Sequence, residues 1–121
     1  MTSAEDPYGP LVETTARVLT WNVWGRFGPW EQRAVGIRRV IEERAPDIVL
    51  LQESWVDADG VQLCAVLGET FGMHHCCTDA GLEAGTWGAA NAVMSRWPIS
   101  ASRTIHLPAL DPKGWGGLAL H

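Results

Sequence analysis

RVLTWNVWGRFGPWEQRAVGIRRVIEERAPDIVLLQES, residues 17–54, holds two apolar runs separated by a segment with helical periodicity. Residues 17–24 are rich in β-branched and aromatic side chains and stop at Gly25, which predicts a strand. Gly25, Gly28 and Pro29 then make a loop. Over residues 31–45, Ala34, Ile37, Val40, Ile41 and Ala45 recur at three- and four-residue steps, with Arg38, Arg39, Glu42 and Glu43 mostly on the opposite side. That pattern predicts an amphipathic helix. Pro29 and Glu31 suit its first turn, and Pro46 makes Ala45 its last residue, because the position before proline disfavours helical geometry. Gly36 costs the helix about 1 kcal/mol relative to alanine, so the helix must rely on packing. Ile48, Val49, Leu50 and Leu51 form an unbroken apolar run that predicts a strand buried on both faces, ending in the polar group Gln52, Glu53 and Ser54.

Strand, helix and strand in this order form a βαβ unit, whose strands run parallel with a right-handed crossover in nearly every case. Both strands therefore finish on one edge of the sheet, and Asn22 and Glu53, 31 residues apart in sequence, meet there. A carboxylate and an amide at such an edge suit a hard cation. Mg²⁺ prefers oxygen ligands and needs only one or two protein carboxylates when substrate phosphate completes the shell. The plainer reading makes Asn22 a turn cap and Glu53 a solvated strand end. Spacing alone favours it, because polar strand ends are common.

Outward from this unit, residues 61–70 read as a second helix and residues 73–77 as a short strand. GAANAVMSRWPIS, residues 88–100, reads as a strand running into a turn at 95–98, with residues 101–107 as its antiparallel partner and another turn at 111–114. Residues 118–121 begin what looks like a further buried strand, from which a truncated domain is expected. Residues 1–16 are polar and proline-bearing and are expected to form a flexible leader, with the ordered domain over 17–121. This leader lacks the basic start and apolar stretch of a signal peptide, and no segment approaches the roughly twenty apolar residues of a bilayer span.

With 121 residues, 46% of them hydrophobic, the chain is sized for one domain with one core. Fourteen acidic residues against nine basic ones, with no basic run, give no nucleic-acid surface of the usual cationic kind. A bound cation would supply the missing positive field, so an acidic protein can still bind phosphate. Cys64, Cys76 and Cys77 are an odd set with two members adjacent, which argues against a disulfide framework and for a reducing, cytoplasmic setting. Of the seven tryptophans, packing in core and rim is the expected use, ahead of a base-stacking platform. His74, His75, Cys76 and Cys77 invite a zinc reading. Consecutive strand residues face opposite ways, however, so at most His74 with Cys76, or His75 with Cys77, could share an ion. A core strand is the preferred reading, and ordinary surface roles are expected of His106 and Asp111.

TWNVWG at 20–25, APDIVLLQES at 45–54 and GAANAVMSRWPIS at 88–100 resemble, in order and spacing, the first three motifs of the endonuclease/exonuclease/phosphatase family. That family embraces deoxyribonuclease-like and abasic-site nucleases, neutral sphingomyelinases, inositol-phosphate phosphatases and deadenylases. The resemblance implies an α/β fold, the N-terminal half of a four-layer α/β sandwich with a mixed sheet and flanking helices. It implies a hydrolase of phosphodiester or phosphomonoester bonds using Mg²⁺ or Mn²⁺. Glu53 matches the metal-binding glutamate, and Asn22 the asparagine beside metal and scissile phosphate. Asn91, Ser95 and Arg96 match a structural motif that holds a strand and turn near the site. The family's later aspartate and asparagine pair, further aspartate and phosphate-contacting histidine have no convincing counterpart, and His121 alone cannot be placed. The 121 residues alone are therefore expected to hydrolyse little.

Two other readings compete. A non-catalytic fragment or binding module would keep the same half-fold. A dinucleotide-binding βαβ domain would place a ribose-binding carboxylate at the end of the second strand, but WGRFGPWEQ, residues 24–32, lacks the G-x-G-x-x-G fingerprint. Among phosphoesters, the acidic charge tilts expectation from duplex DNA toward a lipid headgroup or small phosphoester.

Overall fold

Residues 17–56 fold as the expected strand, helix and strand in a computed structural model, which describes residues 14–80 and 86–108 and the backbone of 118–120. Strand β1 is Val18–Asn22, helix α1 is Trp30–Arg44 and strand β2 is Ile48–Val56. β1 and β2 pair in parallel, from Val18 opposite Ile48 to Asn22 opposite Gln52. Helix α2 (Leu63–Phe71) and strand β3 (His74–Cys77) follow, then strand β4 (Gly88–Ser95). The sheet order is β1-β2-β4-β3, with β4 antiparallel to both neighbours. A mixed sheet with helices on one flank is the α/β arrangement the sequence implied.

The core lies between the sheet and the two helices. Ile37 and Ile41 of α1 and Leu63, Cys64 and Leu67 of α2 pack with Val49, Leu51, Ala92 and Met94 of the strands. The strand residues alternate, because successive side chains leave a strand on opposite faces. Val49 and Leu51 are buried, whereas Ile48 and Leu50 are only half-buried. The unbroken apolar run therefore does not give equal burial on two faces: the helices cover only the Val49 and Leu51 side. α1 ends one residue before the expected position. Ala45 takes left-handed geometry (φ 43°) and donates its N–H to the Ile41 carbonyl, so the turn closes before Pro46 without a helical residue preceding the proline.

Strand β5 (Thr104–His106) pairs with β6 (Leu118–Leu120), not with β4 as the sequence suggested. Both edges of β4 are already taken, by β2 and by β3, so a following strand has no free ladder to join. The expected turn at 111–114, Asp111, His121 and residues 1–13 of the expected leader lie outside the described residues. Thr14, Thr15 and Ala16 are exposed and outside regular structure. No helix among the described residues is long and apolar enough to cross a membrane.

Candidate active site

Asn22 ends β1, and Glu53 lies on the adjacent parallel strand but not at its end as the sequence suggested, because β2 continues through Trp55 to Val56. In register, Asn22 stands beside Gln52, so Glu53 is one residue further along. The two elements are knitted together past the end of β1: the Val23 N–H donates to the Gln52 carbonyl at 2.9 Å and the Gly25 N–H to the Glu53 carbonyl at 2.8 Å.

Glu53 sits in a β-bulge. Leu51 is opposite Ala92 and Ser54 is opposite Ala90, so Gln52 and Glu53 together face the single residue Asn91. The backbone of Glu53 is left-handed (φ 52°), a conformation costing about 1–3 kcal/mol for a residue with a Cβ. A regular strand would send residue 53 to the same side as Leu51, into the helix-covered core. The extra residue breaks that alternation and re-aims the side chain. Glu53 is half-buried, and among the described residues its carboxylate makes no hydrogen bond or ion pair.

Asn22 is exposed, and its Oδ1 accepts the Trp24 N–H at 3.0 Å. This two-residue turn fixes the amide plane and leaves Nδ2–H and one Oδ1 lone pair for other partners. The rest of the β1–α1 loop is set by Arg33, which the sequence reading passed over. Its Nε donates to the Val23 carbonyl at 2.9 Å, and its Nη2 donates to the carbonyls of Trp24, Gly25 and Phe27 at 3.2, 3.0 and 2.7 Å. A helical arginine four residues before Ile37 carries no sequence signal of such a role, because the acceptors are backbone atoms brought up by tertiary folding. Gly25 (φ 49°) is required for a second reason: the Trp87 ring occupies the space a Cβ there would need.

Between the β1–α1 loop and the residues that follow β2 runs an open cleft of about 480 Å³ lined by Arg26, Trp30, Asp57, Asp59, Thr86 and Trp87 among others. The Arg26 guanidinium lies 4.1 Å from both the Trp30 and Trp55 ring centres and 3.8 Å from the Asp57 carboxylate. Its charge is thus held largely by two indole faces.

Of the third motif, Asn91 is beside the bulge, but Ser95 and Arg96 are at the far end of the sheet, correcting the expectation that they hold a turn near the site. Ser95 is opposite Ile48, the first residue of β2. Arg96 Nη2 pairs with Asp47 Oδ1 at 2.9 Å, while Asp47 Oδ2 accepts the Arg17 N–H at 2.8 Å. These residues fasten the starts of β1 and β2 to the end of β4. No group of three or more His, Cys, Asp or Glu among the described residues could hold a metal ion. His75 Nδ1 instead lies 3.9 Å from Cys64 Sγ on α2. Glu53 and Asn22 carry oxygen donors of the kind Mg²⁺ takes, an ion that keeps several waters and shares its shell with substrate phosphate.

The sequence model of the Endonuclease/Exonuclease/phosphatase family matches residues 19–119. The chain belongs to this family. Solved members share its fold. An endonuclease/exonuclease/phosphatase family protein from Leptotrichia buccalis is 18% identical, with a TM-score of 0.63, over 76% of this chain and 41% of its own. An endonuclease/exonuclease/phosphatase from Beutenbergia cavernae is 28% identical, with a TM-score of 0.58, over 77% of this chain and 29% of its own. The chain thus spans less than half the length of either family member. No curated protein matches it. Membership establishes a nuclease- or phosphatase-type hydrolase fold and displaces the dinucleotide-binding reading.

Proposed function

We propose that this chain supplies the cation-binding part of a phosphoester hydrolase site, with Glu53 as carboxylate ligand to Mg²⁺ or Mn²⁺ and Asn22 as its amide neighbour. The observation that carries the reading is Glu53 itself. A strained bulge holds a half-buried carboxylate that has no protein partner among the described residues, next to the strand that ends in Asn22. Strain of this kind collects where function requires a fixed side chain. When bound, the ion would polarise the phosphoryl oxygens and lower the pKa of an attacking water. The protein's own part is positional. Glu53 anchors the cation side, and Asn22, locked by the Trp24 N–H, offers Nδ2–H to a phosphate oxygen and its spare Oδ1 lone pair to the cation shell.

Substrate is a phosphodiester or phosphomonoester. Two guanidiniums near the site, Arg26 and Arg33, are engaged by aromatic rings and backbone carbonyls, and the net charge is -5. A small phosphoester or lipid headgroup suits this surface better than duplex DNA, which demands many phosphate contacts from free cations. Titration with Mn²⁺, paired with turnover of bis(p-nitrophenyl) phosphate, tests the reading. Glu53→Gln is expected to weaken Mn²⁺ binding at least tenfold. Metal-dependent turnover abolished by the same substitution supports the enzyme. Binding without turnover supports the non-catalytic fragment, and equal Mn²⁺ affinity in both proteins refutes the site.

A further inference from the structure

Trp24 and Phe27 are 52% and 50% exposed, and both sit on the loop that begins at Asn22. They are not loose surface residues. Their rings stack with centres 5.7 Å apart, and Phe27 meets the edge of Trp87 at 4.9 Å. Arg33 donates to the carbonyls of both residues and places its guanidinium 5.1 Å from the Trp24 ring. Trp24 also adopts a left-handed backbone (φ 58°), which is costly for a bulky side chain. Strain, immobilisation and exposure of apolar area all act against stability here. They coincide at the residue whose N–H fixes the Asn22 amide.

We propose that the Trp24 and Phe27 ledge is the subsite that takes a flat, uncharged ring carried by the phosphoester. This rests on the placement of phosphate chemistry at Asn22 and Glu53. A ligand group reaching the ledge is carried close to a phosphate held beside Asn22, because Trp24 follows two residues later and its N–H is tied back to the Asn22 amide. The ring is uncharged because Arg33 already supplies a cation to the Trp24 ring, with its Nε and Nη2 donating to the loop carbonyls. Stacking fits because two rigid aromatic side chains present their area at little cost in conformational freedom, and a bound ring recovers the exposed apolar surface. Polynucleotide is disfavoured by the absence of a cationic run along the sequence.

The test compares phenyl phosphate with methyl phosphate, titrated into the full chain with Mg²⁺ while Trp24 and Phe27 are followed by NMR. Phenyl phosphate is expected to bind about tenfold more tightly, with shifts at both rings. Trp24→Gly, which suits the left-handed backbone, and Phe27→Ala should each bring the affinity ratio close to one. Equal affinities in the unaltered protein, a preference surviving both substitutions, or no binding of either ester would overturn the proposal. So would a blue shift of Trp24 fluorescence on phosphatidylcholine vesicles without any ring preference, which would assign the ledge to a lipid surface. Repeating the titration in Glu53→Gln with and without Mg²⁺ separates the two levels: a persisting ring preference together with an undiminished effect of Mg²⁺ keeps the ledge while the cation reading falls.

Discussion

At Glu53 a side chain suited to cation binding sits on a backbone suited to glycine, with φ at 52° inside a bulge. Replacement by glycine removes the steric penalty and the carboxylate together, whereas alanine removes only the carboxylate. Glu53→Gly is therefore expected to exceed Glu53→Ala in stability by about 1 kcal/mol, read from urea unfolding, while both lose Mn²⁺ affinity. A less stable glycine variant would show that the bulge is not strained. The sequence placed Glu53 at a strand end but gave no sign of the bulge, since LQES reads equally well as a regular strand entering a loop. The left-handed turn at 53 depends on Asn91 standing alone opposite two residues, and that register belongs to β4, more than thirty residues away.

Helix α1 combines a weak sequence with a demanding position. Its apolar stripe reaches the core through Ile37 and Ile41, and its first turns carry Arg33 into the loop carbonyls. Gly36 is exposed, and a Cβ added there would meet nothing within 4 Å. Gly36→Ala should thus raise stability by about 1 kcal/mol through backbone propensity alone, without changing cation affinity. A drop in the thermal midpoint would mean that some unrecognised contact requires glycine. The 3.6-residue period made this helix legible. The partners of Arg33 were not, because amphipathic patterns report which face is buried and say nothing about which backbone oxygens a charged side chain will meet.

Across the whole molecule, α2 and β3 close the core on the side remote from β1, and their cysteines couple that closure to pH. Cys64 is fully buried, and its thiol is pushed up from 9.0 to about 12 by burial first, with the neighbouring Cys77 adding to it. Burial also raises Cys76 and Cys77. Because the folded value lies above the unfolded one, the contribution is intact below pH 9. It is lost as pH rises from 9 towards about 12, where only the unfolded chain has released the proton. Stability should fall by about 1.4 kcal/mol per pH unit for one such group in that window. Urea unfolding at pH 8, 9.5 and 10.5 measures it, and Cys64→Ala should flatten the slope. An unchanged slope in the variant would place the alkaline loss elsewhere.

The sequence alone determined the βαβ unit, its parallel strands and the shared edge that joins Asn22 to Glu53. Local periodicity sets element type, and chain chirality sets the crossover. Motif spacing carried the family. Only tertiary structure decided that β4 pairs with β2 and β3 instead of with β5, and that Ser95 and Arg96 serve the far end of the sheet. It likewise decided that Glu53 rides a bulge and that Arg33 holds the loop. These features depend on register between distant segments, and register is fixed by which faces are buried together.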